Sequence, residues 1–305
     1  GAATALATPF ADGEIDLAAF ERLVEWQIDM GIDALCVAGT TGEAATLSRG
    51  ERRRLLGAAR ALSAGKVPLI AGCGSADTKA ACALTADAVA CGADALLAIT
   101  PYCNKGTADG ILEHYRRIAD AASGRPVILY NIPSRTGVNL TEAQYAALAG
   151  IPNIRAVKEA SGSMAKLTRL CADGRLTVYS GNDDQILPVA ALGGRGVISV
   201  LSNLAPAAVS AMAHAAVDGD FDTARRRCGE NSERGADGVM RGFSISRERD
   251  ISFDAHAEFL CRELGRRLNA GTEQPGYAAM AALYRRLKRY IVAGELSGDS
   301  SMLYC

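Results

Sequence analysis

The sequence predicts an α/β protein whose parallel strands close into a (β/α)8 barrel, the TIM-barrel fold, with a helical appendage at the C-terminal end. Three observations predict this class. Eight short apolar runs recur along residues 1–217, longer amphipathic or alanine-rich stretches separate them, and residues 218–305 lack this alternation. Strands that alternate with helices predict a parallel sheet with right-handed crossovers, and eight such units match a barrel. A doubly wound open sheet remains the alternative, because periodicity does not show whether a sheet closes.

The predicted strands are short runs rich in aliphatic and β-branched residues, which is typical of parallel strands buried on both faces. Polar or turn-forming residues bound most of these runs. The eight predicted strands are Thr4–Thr8, Ala34–Ala38, Pro68–Gly72, Ala95–Thr100, Val127–Asn131, Ile154–Glu159, Leu176–Ser180 and Val197–Leu201.

The predicted helices begin at residues that cap helix N-termini. Asp16 precedes apolar residues at helical spacing and is predicted to be an N-cap. Ser48 is followed three residues later by Glu51, which is the signature of a capping box. The predicted helices are Asp16–Asp29, Ser48–Ser63, Asp77–Ala90, Thr107–Ala122, Thr141–Ala149, Ser163–Cys171, Asp184–Leu192 and Pro206–Val217.

The last part of the chain, residues 218–305, differs from the region before it. Arginine is concentrated at Arg225–Arg227, and the stretch Cys228–Asp250 is polar. The clearest pattern is Tyr277–Val292, whose apolar residues fall on one face of a helix. We therefore expect two parts, a barrel at 1–217 that carries the active site and a helical C-terminal region of atypical sequence at 218–305.

The composition favours a cytoplasmic protein whose ligands are small molecules. The chain has 305 residues, of which 49% are hydrophobic, and a formal net charge of −1. This length allows a large core, and the charge gives no electrostatic footprint for nucleic acid or an anionic membrane. No apolar run reaches transmembrane length, and residues 1–10 lack the basic region of a signal peptide.

The cysteines and histidines predict neither a disulfide framework nor a metal site. The nine cysteines are odd in number, and none is spaced as a CxxC pair. Free cysteines suit a reducing cytoplasm. His114, His214 and His256 are far apart in the sequence, and we expect them to be helix-surface or packing residues.

Lys158 is the residue with the most chemical information. It ends an apolar run within Asn153–Gly162 that predicts a buried strand, so its amine is expected at the carboxyl end of that strand. A desolvated ammonium is costly, and burial favours the neutral amine, which is a nucleophile able to form a Schiff base with a carbonyl. A salt bridge to Glu159 is the alternative, because pairing is the usual fate of a buried charge.

Two further polar runs follow predicted strands, where the catalytic groups of a barrel lie. Gly39–Glu43 offers two hydroxyls and backbone amides that suit a small carboxylate, although an ordinary turn capped by threonine has the same pattern. Tyr130–Gly137 presents a phenol at a strand tip and Arg135 five residues later; a tyrosine that anchors a proline-kinked loop is the alternative. Together with Lys158, these groups suggest Schiff-base chemistry on a keto acid.

These motifs resemble the dihydrodipicolinate synthase/N-acetylneuraminate lyase family. The resemblance rests on Gly39–Glu43, Tyr130–Gly137 and Val157–Ala160, with Thr8–Phe10 and Gly196–Ser199 in the same order and spacing over roughly residues 1–220. The runs Gly-Thr-Thr-Gly-Glu and Tyr-Asn-Ile-Pro-Ser-Arg-Thr-Gly are similar to the dihydrodipicolinate synthase branch.

The resemblance implies a lyase that condenses pyruvate with L-aspartate 4-semialdehyde to 4-hydroxy-tetrahydrodipicolinate, in lysine and diaminopimelate biosynthesis. It also implies residue roles. Lys158 would form the imine, and Tyr130 and Thr40 would relay protons. Thr41, Gly181 and Ile198 would hold pyruvate. Arg135 would bind the carboxylate of the aldehyde. No metal or organic cofactor is implied, and a homodimer or homotetramer is expected.

One position departs from the family pattern. The run after the fourth strand commonly has two adjacent tyrosines, the second of which reaches across a dimer interface, and here Tyr102 is followed by Cys103. A thiol is shorter than a phenol, so it cannot make the same contact. No segment after residue 218 is similar to the usual helical region of the family.

Two other functions remain open from the sequence. The first is another pyruvate-dependent class I aldolase of the same family, acting on a sialate or a keto sugar acid. The second is a non-catalytic barrel that binds keto acids. Arg135 favours a short acceptor with a carboxylate, and the set Lys158, Tyr130 and Thr40 favours an enzyme over a sensor.

Overall fold

The structure, a computed structural model, describes residues 1–11 and 13–233. Eight parallel strands form a closed barrel in chain order, and β1 pairs with both β2 and β8. The strands are β1 Ala2–Ala5, β2 Ala34–Val37, β3 Leu69–Gly72, β4 Ala95–Ile99, β5 Val127–Asn131, β6 Ile154–Glu159, β7 Thr177–Ser180 and β8 Val197–Ser199. The predicted (β/α)8 barrel is confirmed, and the open-sheet alternative is wrong.

Seven of the predicted strands match the observed ones to within two residues at either end, while the first begins and ends earlier than predicted. Its continuation leaves the sheet after Leu6, whose amide still donates to the Cys36 carbonyl at 2.9 Å. The next amide, that of Ala7, donates instead to Asn203 Oδ1, and Pro9 has no amide hydrogen to donate. The apolar residues therefore continue past the point at which the ladder stops.

Helices cover the outside of the barrel, and the predicted caps are confirmed. Asp16 Oδ1 accepts from the Ala19 amide at 2.9 Å, and Ser48 and Glu51 form the reciprocal capping box. The helices are α1 Leu17–Asp29, α2 Arg49–Ser63, α3 Thr78–Ala90, α4 Ala108–Ala121, α5 Pro133–Thr136, α6 Glu142–Ala149, α7 Met164–Asp173, α8 Ile186–Ala191, α9 Pro206–Val217 and α10 Phe221–Glu233.

Some observed elements were not predicted individually, although helix α10 lies in the region 218–305 that was expected to be helical. A short antiparallel hairpin pairs Phe10–Ala11 with Glu14–Ile15, and the four-residue helix α5 follows β5. Helix α10 contributes Ala224 to a small cluster with Ala190 and Ala216. The predicted helix Tyr277–Val292 and His256 lie outside the described residues.

Side-chain alternation divides each strand between two cores. One core fills the barrel interior with mostly small or aliphatic side chains: Ala3, Ala5, Cys36, Ile70, Leu97, Ile128, Tyr130, Ala156, Ala160 and Ile198. Alternate residues such as Leu129 and Val157, which are fully buried, face the surrounding helices. Lys158 lies two residues from both Ala156 and Ala160, whose side chains face the interior. Its side chain therefore also points into the barrel.

The cysteines and histidines of the described residues have packing roles or lie at the surface. All seven described cysteines are free. Burial raises the pKa of Cys36 and of Cys73 to about 11, so both thiols stay protonated at neutral pH. His114 is buried and bonds to Thr78, while His214 pairs with Asp33 at the surface. Across residues 1–11 and 13–233, no cluster of three potential metal ligands is present.

The described helices do not meet the requirements for a membrane span. Within the described part of the chain, every helix is too short or too polar to cross a bilayer.

Gly72 is predicted to be essential to the close approach of β3 and the loop after β2. A Cβ at this position would lie 2.0 Å from the Ala38 carbonyl oxygen, so Gly72→Ala must displace backbone. We expect a loss of about 1–3 kcal/mol in the free energy of unfolding. Gly57→Ala is the control, because Gly57 lies in α2 with open space around it, and alanine there should add about 0.5–1 kcal/mol. Denaturant titration of both variants measures these free energies of unfolding. Equal stabilities would contradict the close approach of Gly72 to the Ala38 carbonyl.

Candidate active site

Lys158 and Tyr130 come together inside the barrel. They are register partners on adjacent strands, β6 and β5. The Lys158 Nζ lies 4.4 Å from the centroid of the Tyr130 ring, and the two residues are 4% and 5% exposed. This is the geometry of a cation–π contact, in which the ring face attracts the protonated form of an amine. The nucleophile and the phenol predicted from the sequence therefore share one environment.

The alternative salt bridge between Lys158 and Glu159 is wrong. Glu159 is the next residue on β6, so its side chain leaves the opposite face of the strand. There its carboxylate accepts hydrogen bonds from Asn131 Nδ2 at 3.0 and 3.1 Å, from the Tyr145 hydroxyl at 2.5 Å and from the Ser161 amide at 2.8 Å. The Glu159 carboxylate therefore faces the surrounding helices, whereas the Lys158 amine faces the barrel interior.

Gly181, which follows β7, leaves room for the Lys158 side chain. A Cβ at this position would lie 3.2 Å from Lys158 Cε and 2.6 Å from Ala160 Cβ. The Gly181 amide donates to the Glu159 carbonyl at 2.8 Å, which holds its backbone against β6. Gly181 was assigned to the substrate-binding set, and the structure places it in contact distance of the predicted nucleophile.

Thr40 and Thr41 lie on the opposite wall. Three strands lie between β2 and β6 in either direction around the barrel. The loop after β2 folds into a turn in which the Gly42 amide donates to the Gly39 carbonyl at 3.1 Å. The Thr8 hydroxyl donates to the Gly42 carbonyl at 2.7 Å and fixes the loop to the chain after β1. Thr41 is buried and Thr40 half-buried, and both lie in the loop that follows β2, at the carboxyl end of the barrel.

Ile198 belongs to the interior core. It lies on β8, pairs in register with Ala3, and is 1% exposed in the same cluster as Tyr130. Its side chain is part of the floor of the site, and its backbone lies between β1 and β7.

Arg135 lies at the rim of the barrel. It is exposed on the short helix α5, which ends at Gly137 with φ 68°, in the left-handed region that glycine favours. The Thr136 hydroxyl bonds to the Thr100 hydroxyl at 3.0 Å and to the Ile132 carbonyl at 3.1 Å, which ties this loop to the end of β4. The structure thus puts Arg135 on a fixed loop, five residues after Tyr130 and exposed, whereas Tyr130 and Lys158 are buried.

The position that departs from the family pattern is also at the rim. Cys103 is exposed and has φ 69°, a left-handed conformation that a non-glycine residue rarely adopts. It lies in the irregular segment between β4 and α4.

Asp183 is a buried carboxylate that sequence reasoning missed. Its Oδ2 accepts from the amides of Val200 and Leu201, both at 3.0 Å. Burial raises the pKa of Asp183, and the hydrogen bonds and the charge of Lys158 oppose that rise. The available signal was an aspartate three residues after a strand end, at the edge where barrel enzymes place functional groups.

The comparisons with known proteins follow this geometry. Residues 1–231 match the model of the dihydrodipicolinate synthetase family. The chain belongs to this family. It is 49% identical over 230 residues to the 4-hydroxy-tetrahydrodipicolinate synthase of Exiguobacterium sibiricum, which covers 74% of this chain and 78% of that protein.

Solved structures agree with the assignment. The chloride-inhibited dihydrodipicolinate synthase of Acinetobacter baumannii, complexed with pyruvate, is 35% identical, with a TM-score of 0.77 over 95% of this chain and 98% of that one. A monomeric dihydrodipicolinate synthase variant is 31% identical, with a TM-score of 0.76 over 95% and 96% of the two chains.

Family membership confirms the resemblance inferred from the motifs. The names of the relatives confirm the expected function, a lyase that condenses pyruvate with L-aspartate 4-semialdehyde in lysine and diaminopimelate biosynthesis. The family match ends at residue 231, close to the end of the predicted resemblance.

Gly181→Ala tests whether the lysine needs the space that this glycine leaves. The added methyl group would press on Lys158 Cε and Ala160 Cβ, so the amine should be displaced from its position over Tyr130. Because displacements of about 1 Å at a reacting group can cost about a hundredfold, we expect kcat to fall at least about tenfold. Steady-state kinetics with Gly57→Ala as the control measures this. Full activity in a folded Gly181→Ala variant would show that the lysine moves freely.

Proposed function

We propose that Lys158 is the nucleophile that carries pyruvate as a covalent imine during the condensation. The observation that carries the proposal is the buried amine 4.4 Å from the Tyr130 ring, with the neighbouring carboxylate of Glu159 turned to the other face of the strand. A neutral amine attacks a ketone, whereas an ammonium does not.

The Lys158 nitrogen bonds to the ketone carbon of pyruvate, the carbonyl oxygen leaves as water, and an imine remains. Loss of a methyl proton converts the imine into an enamine, whose terminal carbon bonds to the aldehyde carbon of L-aspartate 4-semialdehyde. The aldehyde oxygen takes up a proton and becomes the 4-hydroxyl group. The amino group of that substrate then attacks the imine carbon, closes the ring and releases the lysine amine.

Proton transfers are assigned to Tyr130 and Thr40. The phenol of Tyr130 is next to the amine, which suits the removal and return of protons at the imine. Thr40 is half-buried at the same end of the barrel, between the interior and the solvent side. We propose that these two hydroxyls form the relay to solvent.

Substrate contacts are assigned to residues around the same barrel end. Thr41, the backbone of Ile198 and Gly181 are proposed to hold pyruvate, since hydroxyls and backbone amides bind a small carboxylate well. Arg135 is proposed to bind the carboxylate of the aldehyde substrate. Its position on a fixed rim loop supports a role in the second substrate rather than in the buried first one.

The remaining properties are proposed with the same function. The lysine amine supplies the electrophilic activation, so the reaction requires no organic cofactor or metal. We propose a cytoplasmic homodimer or homotetramer that has no nucleic-acid or membrane partner, in which the barrel at 1–217 carries the chemistry and residues 218–305 form the appendage. The net charge of −1 supports the proposed absence of nucleic-acid and membrane partners.

Another pyruvate-dependent aldolase of the family is the second candidate. The exposed position of Arg135 is compatible with a longer acceptor that extends past the rim. A non-catalytic keto-acid receptor is disfavoured, because a receptor gains nothing from a buried amine that is expensive to desolvate.

Lys158→Arg tests the imine directly. A guanidinium stays protonated in proteins and cannot form the imine, so trapping with borohydride in the presence of pyruvate should disappear together with turnover. Lys66→Arg is the matched control, because Lys66 is exposed in the loop after α2 and should trap like the wild type. Persistent trapping in a folded Lys158→Arg variant would place the nucleophile elsewhere.

Arg135→Ala separates the two candidate acceptors. The loss of a charge-assisted hydrogen bond should cost about 1.5–3 kcal/mol, which is roughly a ten- to hundredfold lower kcat/KM for L-aspartate 4-semialdehyde. The KM for pyruvate should stay nearly unchanged. Arg175→Ala, an exposed arginine paired only with Asp173, is the control. An equal effect on both substrates would contradict the proposed role.

A further inference from the structure

A buried polar cluster lies directly behind the proposed catalytic pair, on the outer face of β5 and β6. It consists of Asn131, Glu159 and Tyr145, and we call it the outer-wall cluster. Asn131 and Glu159 are fully buried and Tyr145 is 1% exposed. The carboxylate has a donor on β5, on α6 and on the loop after β6. The catalytic chemistry described above uses none of these groups.

We propose that the outer-wall cluster is a positioning device that sets the geometry of Lys158 against Tyr130. The inference rests on the proposed imine function of that pair. Asn131 and Glu159 are positioning residues in this sense, since they act through their neighbours on the strands and do not face the barrel interior.

The register carries the first step of the argument. Tyr130 and Lys158 are partners across β5 and β6, and Asn131 and Glu159 are the next partners along the same two strands. The first pair points inward and the second outward, because side chains alternate. The hydrogen bonds between Asn131 and Glu159 therefore join the two strands one residue away from the reacting groups.

Charge carries the second step. A fully buried carboxylate is stable only when donors surround it. Burial and the Glu159 carboxylate both raise the pKa of Tyr145, so the phenol remains a donor. Lys166 lies 5.8 Å from the Tyr145 ring centroid, and the charge of Glu159 counteracts the lowering of the Lys166 pKa by burial. The carboxylate is thus held by fixed donors in a medium where each bond is strong.

The cluster also reaches the other parts of the site. Asn131 Oδ1 accepts from the Leu140 amide at 3.0 Å, and its Nδ2 donates to Asn139 Oδ1 at 3.0 Å, which closes the loop that carries Arg135. The Glu159 backbone carbonyl accepts from the Gly181 amide. One buried carboxylate and one amide therefore connect the strands of the nucleophile and the phenol to the rim loop and to β7.

The test exchanges the polarity of the pair. In Glu159→Gln an amide NH2 meets the Asn131 NH2, and a flip of Asn131 would remove the acceptor of the Leu140 amide. In Asn131→Asp two carboxylates meet. In the double variant the new carboxylate at position 131 accepts from both the new amide at 159 and the Leu140 amide. Asn139, whose Oδ1 accepts from Asn131 in the wild type, must turn its own NH2 to the new carboxylate for complementarity to return. Glu142→Gln is the matched control, because Glu142 is an exposed residue of α6 that pairs with Arg169.

The readouts are the rate of borohydride trapping with pyruvate, kcat, the KM for pyruvate, and thermal unfolding. Each single variant should lower the trapping rate and kcat at least about tenfold with the KM for pyruvate within about threefold, because the pocket remains while the amine is misplaced. The double variant should recover most of that loss, and Glu142→Gln should match the wild type. Recovery of rate by the exchange is a result that a loss of stability alone does not produce.

Three outcomes would overturn the inference. The first is that the folded single variants trap pyruvate at the wild-type rate. The second is that the double variant loses as much trapping rate and kcat as the two single variants combined. If the single variants do not fold, Tyr145→Phe provides the test, because it removes one donor to the Glu159 carboxylate and keeps the ring. This variant must slow trapping severalfold, and an unchanged trapping rate is the third outcome. Failure of the wild type itself to trap pyruvate would instead refute the proposed function, so the two failures are distinguishable.

Discussion

The alternation of side chains along β6 is the constraint on which the rest of the site depends. Lys158 faces the interior and Glu159 faces the helices, so the strand separates an amine from a carboxylate that would otherwise form a salt bridge. A barrel strand buried on both faces makes this separation possible, because each face has its own set of partners. The aromatic ring of Tyr130 supports the amine, and hydrogen-bond donors support the carboxylate.

Much of this arrangement could be predicted from the sequence. Strand–helix alternation predicted the barrel, since parallel strands buried on both faces have continuous apolar runs. Local capping chemistry at Asp16 and Ser48 predicted two helix starts, because a cap and its partner are three residues apart. Lys158 stood out since a charged residue at the end of an apolar strand is unusual. These are signals within one segment of the chain.

What could not be predicted depends on contacts distant in sequence. Asp183 is held by amides 17 and 18 residues later, and no local pattern indicates those partners. Tyr145 is separated from Glu159 by 14 residues, so the fate of that carboxylate was open and the pairing with Lys158 was a reasonable but wrong alternative. The first strand was misplaced because the residues that terminate its ladder, at Asn203, are 196 positions away.

The account makes Lys158 the site of a covalent bond to pyruvate, and the most direct measurement is the location of that bond. The chain has six lysines, and of the five in the described residues Lys158 is the buried one. After reduction with borohydride in the presence of pyruvate, peptide mass mapping should find one reduced pyruvate adduct, on the peptide that contains Lys158. An adduct on another lysine, or none at any lysine, would contradict the account.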